Sequence, residues 1–422
     1  MSTNNYILNL LNIKDENIFI KQEIKEKTIK GRNYKIIEGF LTYNPSHCPC
    51  CGVINQSSND IIKWGYRKNC KIKIPKISNC SSLLILHKQR FYCKNCNNTF
   101  IAETNLVDRN KNISNNIEFQ IDKEKKKKQS EKDIAERLNV SVSKIDRRLN
   151  EISNHHVLRH STLPKSMNWD EFKATKDTYG KMAFIITDND NDNIFDINDS
   201  RKSRDLEKYF RRYSKTERDK VKHISTDFFP GYIYLAKKLF KNADVSIDRF
   251  HIVVQAYVAL NITRVRLCTK NNPNYNKLKD YWKLILKNEN ELSEEKKYSK
   301  HFHKEVSQKE IVQFLVNTDK VFYSTYECYQ GIINSLKEKD FNKFKSIVLH
   351  PSNYVSDKMK QALKLYKENL EYIENSFKYD INNGIVEGTN NLIKCLKRIA
   401  FGYRKYDHFI ARVFLIKGII KG

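Results

Sequence analysis

The segment MNWDEFKA, residues 167–174, alternates apolar and polar positions as a half-buried strand does. Two segments of the same character follow at once, KMAFIITD at 181–188 and NIFDIND at 193–199, with only short polar turns between them. Strands joined so closely predict an antiparallel meander. Farther on, VKHISTD (221–227) and ADVSID (243–248) read as strands separated by helical segments. A meander followed by helix, strand, helix, strand and helix predicts a mixed sheet with helices packed on it.

That element order is the order of a ribonuclease-H-like domain. From about residue 251 onward the chain reads as helical, through HIVVQAYVALNITRVRLC, NYNKLKDYWKLILK and KEIVQFLVNTDKVFYSTYECYQGIIN to the far C-terminus. Upstream, residues 1–40 read as a helical lead-in and a short strand, and 41–102 as a cysteine module. The middle of that module alternates in KIKIPKI (71–77) and LLILHKQRFYC (83–93). Residues 103–160 read as a helix-turn-helix region and 161–422 as the large domain. The expected fold class is α+β and multidomain: a zinc-ribbon-like β module, a helix-turn-helix, and a ribonuclease-H-like domain.

With 40% hydrophobic residues, 22 Phe and 23 Tyr, the chain can bury real cores and is not a disordered tail. Its 77 Lys and Arg against 49 Asp and Glu leave a formal charge of +28. Such an excess points to a polyanion, most simply nucleic acid. The richness in Asn, Lys and Ile also fits an AT-rich coding sequence, so charge sets an expectation that motifs must support. The N-terminus lacks the positive start and apolar core of a secretory signal. No run of about 18 apolar residues is present. The expectation is a soluble, cytoplasmic, nucleoid-associated protein with no membrane partner.

Two Cys-x-x-Cys pairs stand out, Cys48 with Cys51 in CPCCG and Cys93 with Cys96 in FYCKNC. Four thiolates suit tetrahedral Zn²⁺, and each pair can present two sulfurs to one ion. Gly52 suits the tight turn of such a knuckle, and a β-hairpin would bring the chain back across the 41 intervening residues. Four protein ligands leave no open position, so this zinc is structural. Cys50, Cys70, Cys80, Cys268, Cys328 and Cys395 show no such pairing.

SEKDIAERLNVSVSKIDRRL, residues 130–149, resembles a helix-turn-helix. Ile134, Ala135 and Leu138 would line the inside of the first helix, and Ser141 can cap the second. Ile145 and Leu149 would face back, leaving Lys144, Arg147 and Arg148 near DNA. Near the C-terminus, IVEGTNNLIKCLKR (385–398) placed on a helix puts Glu387, Asn391, Lys394 and Arg398 on one narrow face. Intrahelical Glu–Lys support would account for such a ridge. A metal-binding carboxylate above phosphate-gripping cations accounts better for its order, one acid first and bases below.

ADVSIDRFHIVVQA, followed far downstream by VEGTNNLIKCLKRIAFGYRKYDHFIARV, resembles the ISL-three family of bacterial insertion-sequence transposases. The cysteine module, the helix-turn-helix and WDEF stand in the same order as in that family. The resemblance runs from about Cys48 to about Phe414. It implies a DDE triad carried here by Asp170 in WDEF, Asp227 in STDFF and Glu387 in VEGTNN, with an all-helical insertion at about 270–375 before the last helix. Asp248, Arg249 and His251 in DRFH would be accessory, orienting the site or the substrate. Asp188, Asp190 and Asp192 read as a hairpin turn.

The same resemblance implies two Mg²⁺ ions at the triad and metal-dependent cleavage and strand transfer of DNA. The partners would be double-stranded DNA, as element ends and target, and a second copy of the chain in a dimeric complex. Asn391, Lys394 and Arg398 would contact phosphates near the scissile bond. The alternative is a non-catalytic DNA-binding regulator or a decayed transposase; a nuclease or resolvase of the same fold is a further rival. The convergence of Asp170, Asp227 and Glu387 separates them.

Overall fold

A computed structural model describes residues 3–56, 59–155, 160–178, 180–379, 384–400 and 402–420. The chain divides into two compact units, Met1–Val157 with Ile393–Gly422, and Leu158–Leu392.

The N-terminal unit begins with helix α1 (Thr3–Leu10) and a sheet of strands β1 (Ile18–Ile29), β2 (Arg32–Leu41), β3 (Ile61–Ile77), β4 (Cys80–Cys93) and β5 (Thr99–Ile101). The order is β1-β2-β4-β3, with β5 also on β4. β2 and β4 run parallel, and β1/β2 and β3/β4 are hairpins. Each hairpin closes on two residues with positive φ, Lys30 and Gly31 in the first, Ser78 and Asn79 in the second. Such two-residue loops match the right-handed twist of the strands they join. The lead-in, expected to hold one short strand, thus supplies two long ones. β1 is exposed along most of its length, so its Lys- and Glu-rich sequence carries little apolar alternation. Asn4 on α1 ties down its edge, donating to the Ile18 carbonyl at 3.1 Å and accepting from the Ile20 N–H at 2.8 Å.

Helices α2 (Asn115–Lys125), α3 (Glu131–Leu138) and α4 (Val142–His155) follow. Ile117, Ile121, Ile134, Ala135, Val140 and Ile145 form their common core. α3 starts on a capping box between Ser130 and Asp133 and ends on Asn139 in the left-handed region. Asn139 is also the joint with the sheet: its side chain accepts from Arg32 at 3.1 Å and donates to the Tyr34 hydroxyl at 3.2 Å.

The second unit opens with β6 (Ser166–Lys173), β7 (Met182–Asp188) and β8 (Asn193–Asn198). The antiparallel meander read from the sequence is formed by these three. α5 (Ser203–Phe210) and α6 (Lys215–Asp219) lead to β9 (His223–Thr226), α7 (Pro230–Leu239) to β10 (Asp244–Ile247), and α8 (Arg249–Leu267) closes the series. The sheet order is β10-β9-β6-β7-β8, with β9 parallel to both β6 and β10. Trp169 anchors β6 from below, stacked on Phe210 at 4.9 Å and edge-on to Phe184 and Phe240.

α9 (Tyr275–Asp280), α10 (Trp282–Ile285), α11 (Gln308–Val316), α12 (Lys320–Glu338), α13 (Phe341–Leu349), α14 (Asp357–Glu368) and α15 (Leu370–Lys378) make up the helical stretch. It is interrupted by a small hairpin, β11 (Lys297–Ser299) with β12 (Lys304–Val306), whose short polar strands carry no apolar alternation to read. α16 (Gly384–Ile399) and α17 (Tyr406–Lys417) end the chain. No described helix is long and apolar enough to cross a membrane.

His223 crosses the three parallel strands, meeting the Ser166 hydroxyl on β6 at 3.1 Å and the Ser246 hydroxyl on β10 at 2.8 Å, with its ring stacked on Tyr379 at 4.1 Å. Burial holds it near 4, against the pull of Asp244. A histidine depressed in the fold lends stability that is complete above its ordinary value and lost as pH falls toward 4. Denaturant titration should therefore show up to about 3 kcal/mol lost between neutral pH and pH 4, a slope that His223→Asn removes.

Candidate active site and zinc centre

The parallel ladder sets the first site. β6 pairs Asn168 with Ser225 on β9, and β9 pairs Thr226 with Ile247 on β10. Continuing each register brings Asp170, Asp227 and Asp248 level with one another, on strands about 4.8 Å apart. A hydrogen bond from the Asp248 N–H to the Thr226 carbonyl at 2.8 Å carries the last rung to that edge. Asp170 accepts from the Glu171 N–H at 2.7 Å, Asp227 from Phe229 N–H at 2.9 Å, and Asp248 from Phe250 N–H at 2.8 Å.

Burial pushes the Asp170 carboxyl up, against the pull of the Glu171 N–H, the Asn390 amide and His251. Burial also raises Asp227, and the charges of Glu171 and Asp170 add to the rise. His251 eases both. The second acid of WDEF is committed elsewhere: Glu171 takes two bonds of 2.8 Å from Arg201 and one of 3.0 Å from the Tyr232 hydroxyl. Arg249 donates to the carbonyls of Ser376 at 2.8 Å and Tyr379 at 3.2 Å, tying the start of α8 to the end of α15. Asp188 accepts from the N–H groups of Asp190 and Asn191, at 2.9 and 3.2 Å, within the β7–β8 turn.

Asn390 on α16 donates to Asp170 Oδ2 at 2.8 Å. The sequence reading passed over it in favour of its neighbour Asn391. The signal was available: Asn390 stands three residues after Glu387, as close on a helix surface as the fourth position. Its Oδ1 is buried without a hydrogen-bond partner among the described residues. Glu387 lies within α16, but its side chain falls outside the described residues. Asn391, Lys394 and Arg398 are all exposed, while Leu392, Ile393 and Leu396 are buried.

The three basic residues expected on the outer face of α4 part company. Lys144 is 8% exposed and paired with Glu118. Arg148 forks onto Asp122 with bonds of 2.9 and 2.7 Å and reaches Glu151 at 2.9 Å. Glu118 and Asp122 lie one turn apart on α2, a ladder of acid that draws both cations inward. Arg147 stays exposed, as do Ser141, Val142 and Ser143 at the start of α4. Ser141 Oγ accepts from the Lys144 N–H at 3.2 Å, so the cap is formed.

The four cysteines form the second site. The sulfurs of Cys48, Cys51, Cys93 and Cys96 all lie within 4.8 Å of one another, and among the described residues no other cluster of His, Cys, Asp and Glu is so close. Cys48 and Cys96 are 3.7 Å apart, Cys51 and Cys93 3.8 Å. Tetrahedral zinc with Zn–S bonds of about 2.3 Å needs about 3.8 Å between sulfurs. The two knuckles match: the Cys48 N–H reaches the Val53 carbonyl at 2.9 Å and the Cys93 N–H the Asn98 carbonyl at 3.0 Å. Gly52 and Asn97, each just after a second cysteine, both have positive φ. Asn95 donates to Cys51 at 3.5 Å and leads the causes that hold its thiol down to about 6. The donor set therefore fits a zinc ion.

A transposase family model, the ISL3 group of DDE transposases, matches residues 168–413, more than half of the chain. The chain belongs to the ISL3 family of DDE transposases. A protein of Lactococcus lactis subsp. lactis bearing the name ATP-dependent protease is 27% identical over 136 residues, 31% of this chain and 42% of that protein. The chain thus spans under half the length of that relative, and no Gly-x-x-x-x-Gly-Lys-Ser/Thr phosphate loop occurs in its own sequence.

Metal analysis of the purified protein should find one zinc per chain. Cys93→Ser should lose it and unfold the N-terminal sheet, since structural zinc contributes about 10 kcal/mol or more to small sites. Calorimetry should show the transition of the second unit unchanged.

Proposed function

We propose that this transposase binds the ends of an insertion sequence and carries out divalent-metal-dependent strand cleavage and strand transfer at Asp170, Asp227 and Glu387. The observation that carries the reading is that the parallel register sets Asp170, within β6, level with Asp227, just past β9, and the charge of Asp170 acts on Asp227, while Asn390, one helical turn beyond Glu387, is bonded to Asp170. A meander whose first strand is continued by two parallel ones supports the ribonuclease-H-like description. The helices from Tyr275 to Lys378 are then the insertion that separates the second acid from the third.

Magnesium suits this donor set. Carboxylate oxygens are hard ligands, and two acids raised by burial and repulsion gain from a shared cation. When bound, such ions supply an activated attacking oxygen and a stabilised leaving oxygen at phosphorus. The chain's own residues prepare the place. The Glu171 and Phe229 N–H groups fix the two aspartates, and Asn390 holds Asp170 from the α16 side. Asp248 caps α8 and Arg249 anchors it, so His251 is held near both acids.

DNA is gripped at several points on this reading. Arg147 and the exposed start of α4 enter the groove of an element end. Lys144 and Arg148 brace that helix on α2 and contribute no phosphate contact. Asn391, Lys394 and Arg398 meet phosphates of the bound strand. Joining two ends calls for two copies of the chain on the DNA.

Glu387→Gln should abolish cleavage of the flanking element ends in Mg²⁺ while sparing end binding; retained cutting would remove Glu387 from the triad and favour a different third ligand. Asn390→Ala should lower the cleavage rate about tenfold to a thousandfold by freeing Asp170. Its end binding should match the wild type, and raised Mg²⁺ should restore part of its rate.

A further inference from the structure

β3 is an edge strand whose first half is built differently from its second. Residues 63–69, Lys-Trp-Gly-Tyr-Arg-Lys-Asn, are exposed without a break. Two breaks in register with β4 fall here, between Lys63 and Tyr66 and between Arg67 and Cys70. Each holds a residue with positive φ, Gly65 at 76° and Asn69 at 60°. A bulge of this kind bends a strand and re-aims its side chains.

Both bulges are pinned by buried polar groups on β4. Gln89, 2% exposed, donates to the Gly65 carbonyl at 2.7 Å. His87, 7% exposed, accepts from the Asn69 N–H at 3.3 Å, while its other ring nitrogen meets Glu38 at 2.8 Å. Buried polar groups are costly unless bonded, so the core of the sheet is specialised to hold this shape. What the shape presents is chemically uniform. Ile61–Ile77 carries Lys63, Arg67, Lys68, Lys71, Lys73 and Lys76 and no Asp or Glu. Trp64 is 55% exposed although it lies 5.4 Å from the Tyr92 ring, and Tyr66 is 38% exposed and edge-on to Phe40 at 5.6 Å.

Lysines and bulges on an edge strand also keep sheets of different molecules from pairing. That purpose calls for charge, and exposed Trp and Tyr work against it. Rings interleaved with cations suit nucleic acid: the cations displace counterions at phosphates, and the rings pack on sugars and bases.

We propose that the doubly bulged edge segment at 63–69, hereafter the ribbon, is a second duplex-DNA contact, in which Lys63, Arg67 and Lys68 meet phosphates and Trp64 and Tyr66 pack against sugars or base edges. This rests on the reading of the chain as a protein that binds element ends. It gives the cysteine-bearing sheet a task of its own, since an ion held by Cys93 would fix the end of β4 opposite Ile61, at the start of the ribbon strand.

The test is fluorescence anisotropy of the full-length, zinc-loaded protein on a labelled duplex of the element's own end and on an unrelated duplex of equal length, across a salt series. Lys63→Ala/Arg67→Ala/Lys68→Ala should lower the slope of log affinity against log salt by about 2.7, or 0.9 for each lost phosphate contact. Trp64→Ala should weaken binding about tenfold and leave that slope unchanged. If Arg147→Ala loses affinity while both ribbon variants bind as the wild type, the ribbon is not a DNA contact and end binding stands. Ribbon variants that self-associate in gel filtration with unaltered DNA affinity would likewise overturn the proposal, in favour of edge protection. A wild-type protein with no affinity for either duplex would sink both readings.

Discussion

Parallel pairing of β6, β9 and β10 decides where carboxylates gather in the second unit. Parallel strands share one direction, so residues at the same level of the register lie side by side, whether inside a strand, as on β6, or just past its end, as on β9 and β10. Here those residues are Asp170, Asp227 and Asp248. Trp169 makes the arrangement firm from beneath. Its ring is buried among Phe184, Phe210 and Phe240, so strand alternation turns the next side chain the other way. The turns that follow β9 and β10 repeat one device, an aspartate accepting from the N–H two residues on, which settles each carboxylate before any ligand arrives.

The first unit uses charge in a different way. Some of its cations serve its own architecture. Lys144 and Arg148 hold α4 to α2. Arg412 on α17 is wholly buried and donates to the carbonyls of Lys127 and Gln129, at 3.0 and 2.8 Å, just ahead of α3. His408 on the same helix meets Asn150 and, at 2.9 Å, Asp146 on α4. The helices are thereby braced from both sides.

Much of this was legible in the sequence, because the strongest signals there have short-range causes. Two Cys-x-x-Cys knuckles need only local turns and a hairpin to bring them together, and the sulfurs converge. The meander and the apolar residues of α3 and α4 follow from periodicity alone. What escaped depends on partners distant in the chain. Nothing local distinguishes Lys144 from Arg147; Glu118, on another helix, does. Asn390 and Asn391 are equally polar neighbours, and only the placement of Asp170 selects the former. β1 hid because an edge strand with solvent on both faces loses its period-two pattern, and β11 and β12 are too short to show one.

Asp170 and Asp227 are held at a cost, since burial disfavours their ionised forms and the charge of Glu171 adds to it, as does that of Asp170 on Asp227. Their replacement by neutral residues relieves that cost and disturbs neither the aromatic floor nor the cysteine knuckles. Against that relief stands only the loss of the bonds that Asp170 accepts from the Glu171 N–H and Asn390 and that Asp227 accepts from the Phe229 N–H. A copy of the chain that has lost these acids therefore keeps a sound fold, and the loss leaves little trace in its stability.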